Sequence, residues 1–154
     1  MEAANRGAAD AGGSTIGFNI GLSHEQRPNP YVTQPLLFEF HYFFMRKLWF
    51  SHLARALIVF PGGFGTMDEM MEMLTLAQTK KIDREVLILL YGTKYWNEVI
   101  NFDALVKHGM IDAKDLNLIH RVDDVQGAFN LLQSRLPKEN EAACPAIAKA
   151  RFSE

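Results

Sequence analysis

Ala56-Leu57-Ile58-Val59-Phe60 is an unbroken apolar run that ends at Pro61-Gly62-Gly63-Phe64-Gly65-Thr66. A run this short and this apolar reads as a strand buried on both faces, the pattern of a parallel sheet. Thr66 to Gln78 then reads as a helix. Parallel strands cannot be joined by a hairpin, so a helical crossover is what such a strand requires next. Val86 to Tyr91 is a second buried strand, stopped by Gly92, and 118–122 a short third one. Helices are expected over 95–108 and from Asp123 to about Leu136. Strands alternating with helices imply an α/β fold, a mostly parallel sheet with helices on both faces.

The front of the chain is less regular. Glu2 to Ala11 is alanine-rich and predicts a helix that Gly12-Gly13 would stop. Thr15 to Ile20 alternates in part and reads as a strand, followed by a long loop over 21–31 that contains Pro28 and Pro30. Leu36, Phe38, Phe40, Tyr42 and Phe44 alternate with period two, which predicts a strand over 36–44, and a short helix is expected over 45–54. A doubly wound domain usually opens with a strand and a glycine-rich turn. This chain opens with a helix, so its first strands are expected to be missing. One domain is expected over 1–136, with a disordered tail over 137–154 that mixes charge, alanine and proline.

Composition narrows the function classes. The chain has 154 residues, 48% hydrophobic and 22% charged, with a net charge of -2, which suits one folded domain and gives no basic surplus for nucleic acid or anionic membrane. No apolar run approaches the roughly 20 residues of a membrane span, and the N-terminus lacks the apolar core of a signal peptide. The single cysteine, Cys144, excludes an intramolecular disulfide and suits a reducing compartment. A cytoplasmic protein without a metal or cofactor is expected. His24 and His41 have no second ligand at a metal spacing and read as structural.

The chemistry concentrates in the turn after the first apolar run. Glycines there let the backbone approach a ligand and reach positive φ. The first turn of the following helix offers unpaired N–H groups and the positive end of a dipole, together an anion cradle suited to phosphate. The turn is neither a P-loop nor a Gly-x-Gly-x-x-Gly fingerprint. The residues alone allow phosphate binding or a plain strand–helix turn. Glu69 has two readings as well: a capping-box partner of Thr66, or a carboxylate placed to act on the sugar attached to a bound phosphate. Arg46 and Lys47 are expected at a strand-to-helix switch, where their charge opposes the helix dipole unless an anion is bound. Met67, Met70, Met71 and Met73 crowd one helix and read as core or subunit interface.

PGGFGTMDE resembles the Pro-Gly-Gly-x-Gly-Thr-x-x-Glu signature of the LOG ("Lonely guy") proteins, often labelled "possible lysine decarboxylase". Arg46-Lys47, 23 residues ahead of Glu69, is similar to that family's Arg-Lys pair. MEAANRGA looks like the segment after the family's first glycine-rich turn, and STIGFNIGLSHEQRPNPY and FEFHYFFMRK resemble its longer bacterial branch. The resemblance covers roughly 1–136. It implies a Rossmann-like fold and hydrolysis of the N-glycosidic bond of a nucleoside 5′-monophosphate, either AMP-like or a cytokinin nucleotide, to free base and ribose 5-phosphate. It further implies Arg46 and Glu69 as catalytic residues, Gly62, Gly63, Gly65, Thr66 and Lys47 as phosphate ligands, and a homodimer or higher homo-oligomer. The alternative is a nucleotide-binding module without turnover. Decarboxylation is disfavoured, because it normally needs a pyridoxal cofactor on a lysine and Lys80-Lys81 sit at an expected helix end.

Overall fold

The computed structural model describes residues 1–21, 27–82 and 84–136. His24, Cys144, the middle of the 21–31 loop and the expected tail over 137–154 lie outside the described residues. The chain divides into two compact units, Met1–Ala54 and Arg55–Glu154.

The first unit opens with helix α1 (Glu2–Asp10), closed by Gly12 at a φ of +75°, as the Gly-Gly pair predicts. Strands β1 (Gly17–Ile20) and β2 (Leu37–Phe40) pair in parallel, with Gly17 opposite Leu37 and Ile20 opposite Phe40. Phe18 meets Phe40 edge-on at 5.4 Å between ring centres, a geometry the aromatic quadrupole favours. Thr15 is buried and fully bonded. Its N–H donates to Thr33 Oγ1 at 3.0 Å and its hydroxyl donates to the Tyr31 carbonyl at 2.8 Å. Helix α2 (Phe43–Leu53) completes the unit. Its inner face is narrow: only Ser51 is buried, while Phe43, Phe44, Leu48, Trp49 and Leu53 are all exposed.

The second unit carries most of the apolar core. Strands β3 (Ala56–Val59), β4 (Leu87–Tyr91) and β5 (Ile119–Val122) form a parallel sheet in that order, with Ala56 opposite Leu87 and Ile88 opposite Ile119. The central strand reads Leu-Ile-Leu-Leu because both its faces are covered. Ile88, Leu89 and Leu90 expose nothing, and neither do Met70, Met73 and Trp96. Met70 and Met73 lie three residues apart on helix α3 (Phe64–Gln78), so one stripe of the methionine-rich helix is core. Helices α4 (Thr93–Val99) and α5 (Phe102–Lys107) connect β4 to β5. Helix α6 (Val125–Arg135) lays Ala128, Leu131 and Leu132 against Leu87 and Leu89. The fold is α/β and consistent with a Rossmann-like architecture, with strands in two parallel sheets of two and three among the described residues.

Several boundaries differ from expectation. The strand expected over 36–44 stops at Phe40 after a 3-10 turn at Gln34–Leu36, and α2 begins at Phe43. The alternation fails at Phe43, an odd position that is also aromatic. Arg46 and Lys47 therefore stand inside the helix rather than at a strand-to-helix switch. The helix expected over 95–108 is two helices, because the Asn101 side chain accepts the Ala104 N–H at 2.9 Å and starts α5 anew. The last helix is capped by Asp124 rather than Asp123. Asp124 Oδ1 accepts the Gly127 N–H at 2.7 Å, and Asp123 points elsewhere.

The end of α3 is tied down by a hydrogen bond of 2.6 Å from Gln78 Nε2 to Asp115 Oδ2. That bond is the main reason the Asp115 carboxyl lies below the usual carboxylate range. A lowered carboxyl stabilises the fold above its unfolded-state pKa, and the effect is lost as pH falls through the folded value. In Gln78→Leu, an NMR titration should find Asp115 protonating at higher pH than in the wild type. Removing the cap with Asp124→Ala should cost about 1 kcal/mol in urea unfolding.

Candidate functional site

The carboxyl ends of β3, β4 and β5 lie along one edge of their parallel sheet, and the loops leaving them meet there. The first of these loops is the glycine turn. Helix α3 begins at Phe64 with Gly63 as its N-cap, and no side chain caps it. The N-cap itself therefore offers the first amides no side-chain acceptor, and the dipole end is positive.

The three glycines differ in what they do. A Cβ on Gly62 would run into the Thr66 side chain, with Thr66 Cβ only 2.9 Å away, so the protein's own packing requires glycine there. A Cβ on Gly63 or Gly65 would meet nothing within 4 Å. None of the three is left-handed, and Gly63 has a φ of -91°. The expected need for positive φ is thus corrected: no backbone strain selects glycine at 63 and 65. What glycine provides there is bare backbone surface beside the helix start, open to solvent.

The capping-box reading of Glu69 is also excluded by the helix start. Thr66 is the third helical residue, not the N-cap, and its hydroxyl packs over Gly62. Glu69 sits one turn further along α3 and is half-buried. Gly62, Gly63, Gly65, Thr66 and Glu69 thus belong to one turn–helix element of the second unit. Arg46 and Lys47 are half-buried on α2 of the first unit, where the Arg46 guanidinium lies 5.9 Å from the centre of the Phe43 ring. Arg46, Lys47, Asp68 and Glu69 each engage neighbouring groups.

Two further loops shape the same edge, and the sequence motif gave no sign of them. Tyr95 Oη donates to the Gly62 carbonyl at 2.7 Å. Gly92 has a φ of +88°, and a Cβ there would touch Pro61 Cγ at 3.4 Å, so the turns after β3 and β4 are in contact. The Gly92 N–H donates to the Val122 carbonyl at 2.9 Å, and the Thr93 N–H donates to Asp123 Oδ1 at 2.6 Å, which ties in the turn after β5. Phe60, just after β3, and Tyr91, at the end of β4, pack with tilted rings 5.0 Å apart. A glycine directly after a buried strand is the one signal in the sequence, and by itself Gly92 reads only as a stop.

The family model described as "Possible lysine decarboxylase" matches residues 1–132. The chain belongs to this family. Its members similar to this chain include the cytokinin riboside 5′-monophosphate phosphoribohydrolase LOG1 of Arabidopsis thaliana, 29% identical over 99 residues, which are 64% of this chain and 46% of that protein. LOG7 of Arabidopsis thaliana, with the same activity in its name, is 31% identical over 97 residues, 62% of this chain and 44% of its own. The probable phosphoribohydrolase LOG4 of Oryza sativa subsp. japonica is 34% identical over 79 residues, 51% of this chain and 34% of its own. The chain thus spans less than half the length of the curated relatives it matches. Lys80 and Lys81 are exposed beyond the C-terminal end of α3, roughly 20 Å along that helix from the glycine turn.

The glycines supply a discriminating measurement. Gly62→Ala should destabilise the fold by about 1–3 kcal/mol, because Thr66 must be displaced. Gly63→Ala and Gly65→Ala should unfold in urea within about 1 kcal/mol of the wild type.

Proposed function

We infer that this chain hydrolyses the N-glycosidic bond of a nucleoside 5′-monophosphate, AMP-like or a cytokinin nucleotide, releasing free base and ribose 5-phosphate. One observation carries the reading. The uncapped start of α3 leaves bare amides beside Gly63 and Gly65, where a Cβ would meet no protein atom, and half-buried Glu69 stands one turn along the same helix. A phosphate held by those amides leaves its ribose within the range of the helix's first turns. The names of the relatives, phosphoribohydrolases of a riboside 5′-monophosphate, point to the same substrate class.

The chemistry follows from the residue types. Cleaving the ribosyl C–N bond passes through an oxocarbenium-like state, and water supplies the oxygen at the anomeric carbon. In this reading Glu69 stabilises that positive charge, holds the ribose hydroxyls and takes the proton of the attacking water. Arg46 carries the second catalytic role, pairing bidentately with the phosphate or hydrogen-bonding an acceptor nitrogen of the base as it leaves. Gly62, Gly63, Gly65, Thr66 and Lys47 hold the phosphate, the glycines through the backbone of their turn. No metal and no cofactor enters this scheme.

The same reading takes the protein to be cytoplasmic and to work as a homodimer or higher homo-oligomer. No helix among the described residues is long and apolar enough to cross a membrane. Exposed apolar residues on α2, Phe44 at 66% and Leu48 at 57% among them, are the kind of surface that a second copy covers.

The test is to incubate the full chain with AMP and with a cytokinin riboside 5′-monophosphate and to measure free base by chromatography. Release of base, reduced at least about 100-fold in Glu69→Gln and in Arg46→Ala, is the expected result. Binding of AMP with no release from any purine or cytokinin nucleotide would overturn hydrolysis and leave a nucleotide-binding module.

A further inference from the structure

Tyr95 acts at one remove from the site. A trans peptide is planar, and its C=O and N–H point to opposite sides. The Gly62 carbonyl and the Gly63 N–H belong to one such unit. Tyr95 Oη donates to that carbonyl at 2.7 Å, so the N–H of the same unit is turned away from Tyr95. Gly63 is the N-cap of α3, and its own carbonyl accepts the Met67 N–H at 3.0 Å. Flanked by two residues without Cβ, the Gly62–Gly63 peptide is the easiest in the turn to flip. The Tyr95 hydroxyl holds one face of it in place.

Tyr95 is in turn fixed by its neighbour on α4 and by the turn after β5. Its ring meets Trp96 edge-on at 5.1 Å, and Trp96 exposes nothing and donates through Nε1 to the Tyr91 carbonyl at 3.1 Å. The start of α4 is anchored by the Thr93 N–H on Asp123 Oδ1 and the Gly92 N–H on the Val122 carbonyl. The orientation of one amide in the glycine turn is thus set by residues that follow β4 and β5.

Resting on the nucleotide reading above, we propose that Tyr95 is a positioning residue that aims the Gly63 N–H at the substrate phosphate. It touches neither the phosphate nor the sugar. Without its hydroxyl the peptide samples the flipped state, and the anion faces a carbonyl oxygen for part of the time. The effect is confined to the phosphate end of the ligand, which separates it from a general loosening of the site.

The experiment compares Tyr95→Phe with the wild-type full chain, using AMP, adenosine and inorganic phosphate in titration calorimetry. Tyr95→Phe keeps the ring against Trp96 and removes only the donor. The expected result is about tenfold weaker binding of AMP and of inorganic phosphate, with adenosine binding unchanged. Equal losses for AMP and adenosine, or no loss for AMP, would overturn the positioning role while leaving the nucleotide reading intact. A wild-type chain that binds neither AMP nor phosphate would overturn both. A second readout needs no variant: in an amide NMR spectrum of the wild type, the Gly63 cross-peak should move on adding phosphate. A cross-peak that stays in place while phosphate binds overturns the proposal.

Discussion

A parallel sheet sends the carboxyl ends of all its strands to one edge, and the organisation of the second unit follows from that constraint. The turns after β3, β4 and β5 have no other place to go. Their contacts are specific: Pro61 against Gly92, Tyr95 on Gly62, Asp123 on Thr93. Buried Leu and Ile residues of β4 hold the strands in register, and the register fixes how those turns meet. The apolar core and the polar edge are therefore one arrangement. A change in strand register would move each turn relative to the others.

Much of this was legible in the residues. The apolar run at 86–91 announced a strand buried on both faces, and the glycines announced the turn into α3. The run at 56–60 announced a strand as well, but β3 is an edge strand of its three-stranded sheet with Leu57 and Val59 buried and Ile58 exposed, so its expected burial on both faces is corrected. Gly12-Gly13 marked the end of α1. Other features were hidden for physical reasons. Period two and helical spacing cannot be told apart where Tyr42, Phe43 and Phe44 are all aromatic, so the pattern does not show that α2 starts at Phe43. Asn101 is an N-cap by its chemistry, but it sits inside a stretch whose apolar spacing is helical on both sides. The hydrogen bond from Tyr95 to Gly62 joins residues 33 apart in sequence, and only the folded sheet brings them together. Long-range contacts of that kind leave no local pattern.

The glycine motif illustrates how one sequence pattern can have several causes. Gly62 is explained by Thr66, which occupies the space a side chain would need. Gly63 and Gly65 have no such explanation within the protein. The expectation of left-handed backbone was reasonable for a glycine-rich turn, and Gly92 meets it at +88° where the motif glycines do not. The helix start moves the meaning of Glu69 as well. With Gly63 as N-cap, the carboxylate is a turn beyond the terminus and cannot serve as its capping partner.

Helix α3 is the longest helix among the described residues and carries two fully buried methionines, yet it enters the fold without a side chain to cap it. An anion held there would complete the helix in the way an aspartate completes α6. Occupancy and folding then become a single linked equilibrium: a ligand at 100 times its dissociation constant would add about 2.7 kcal/mol to stability. Withdrawing such an anion would leave the protein easier to unfold.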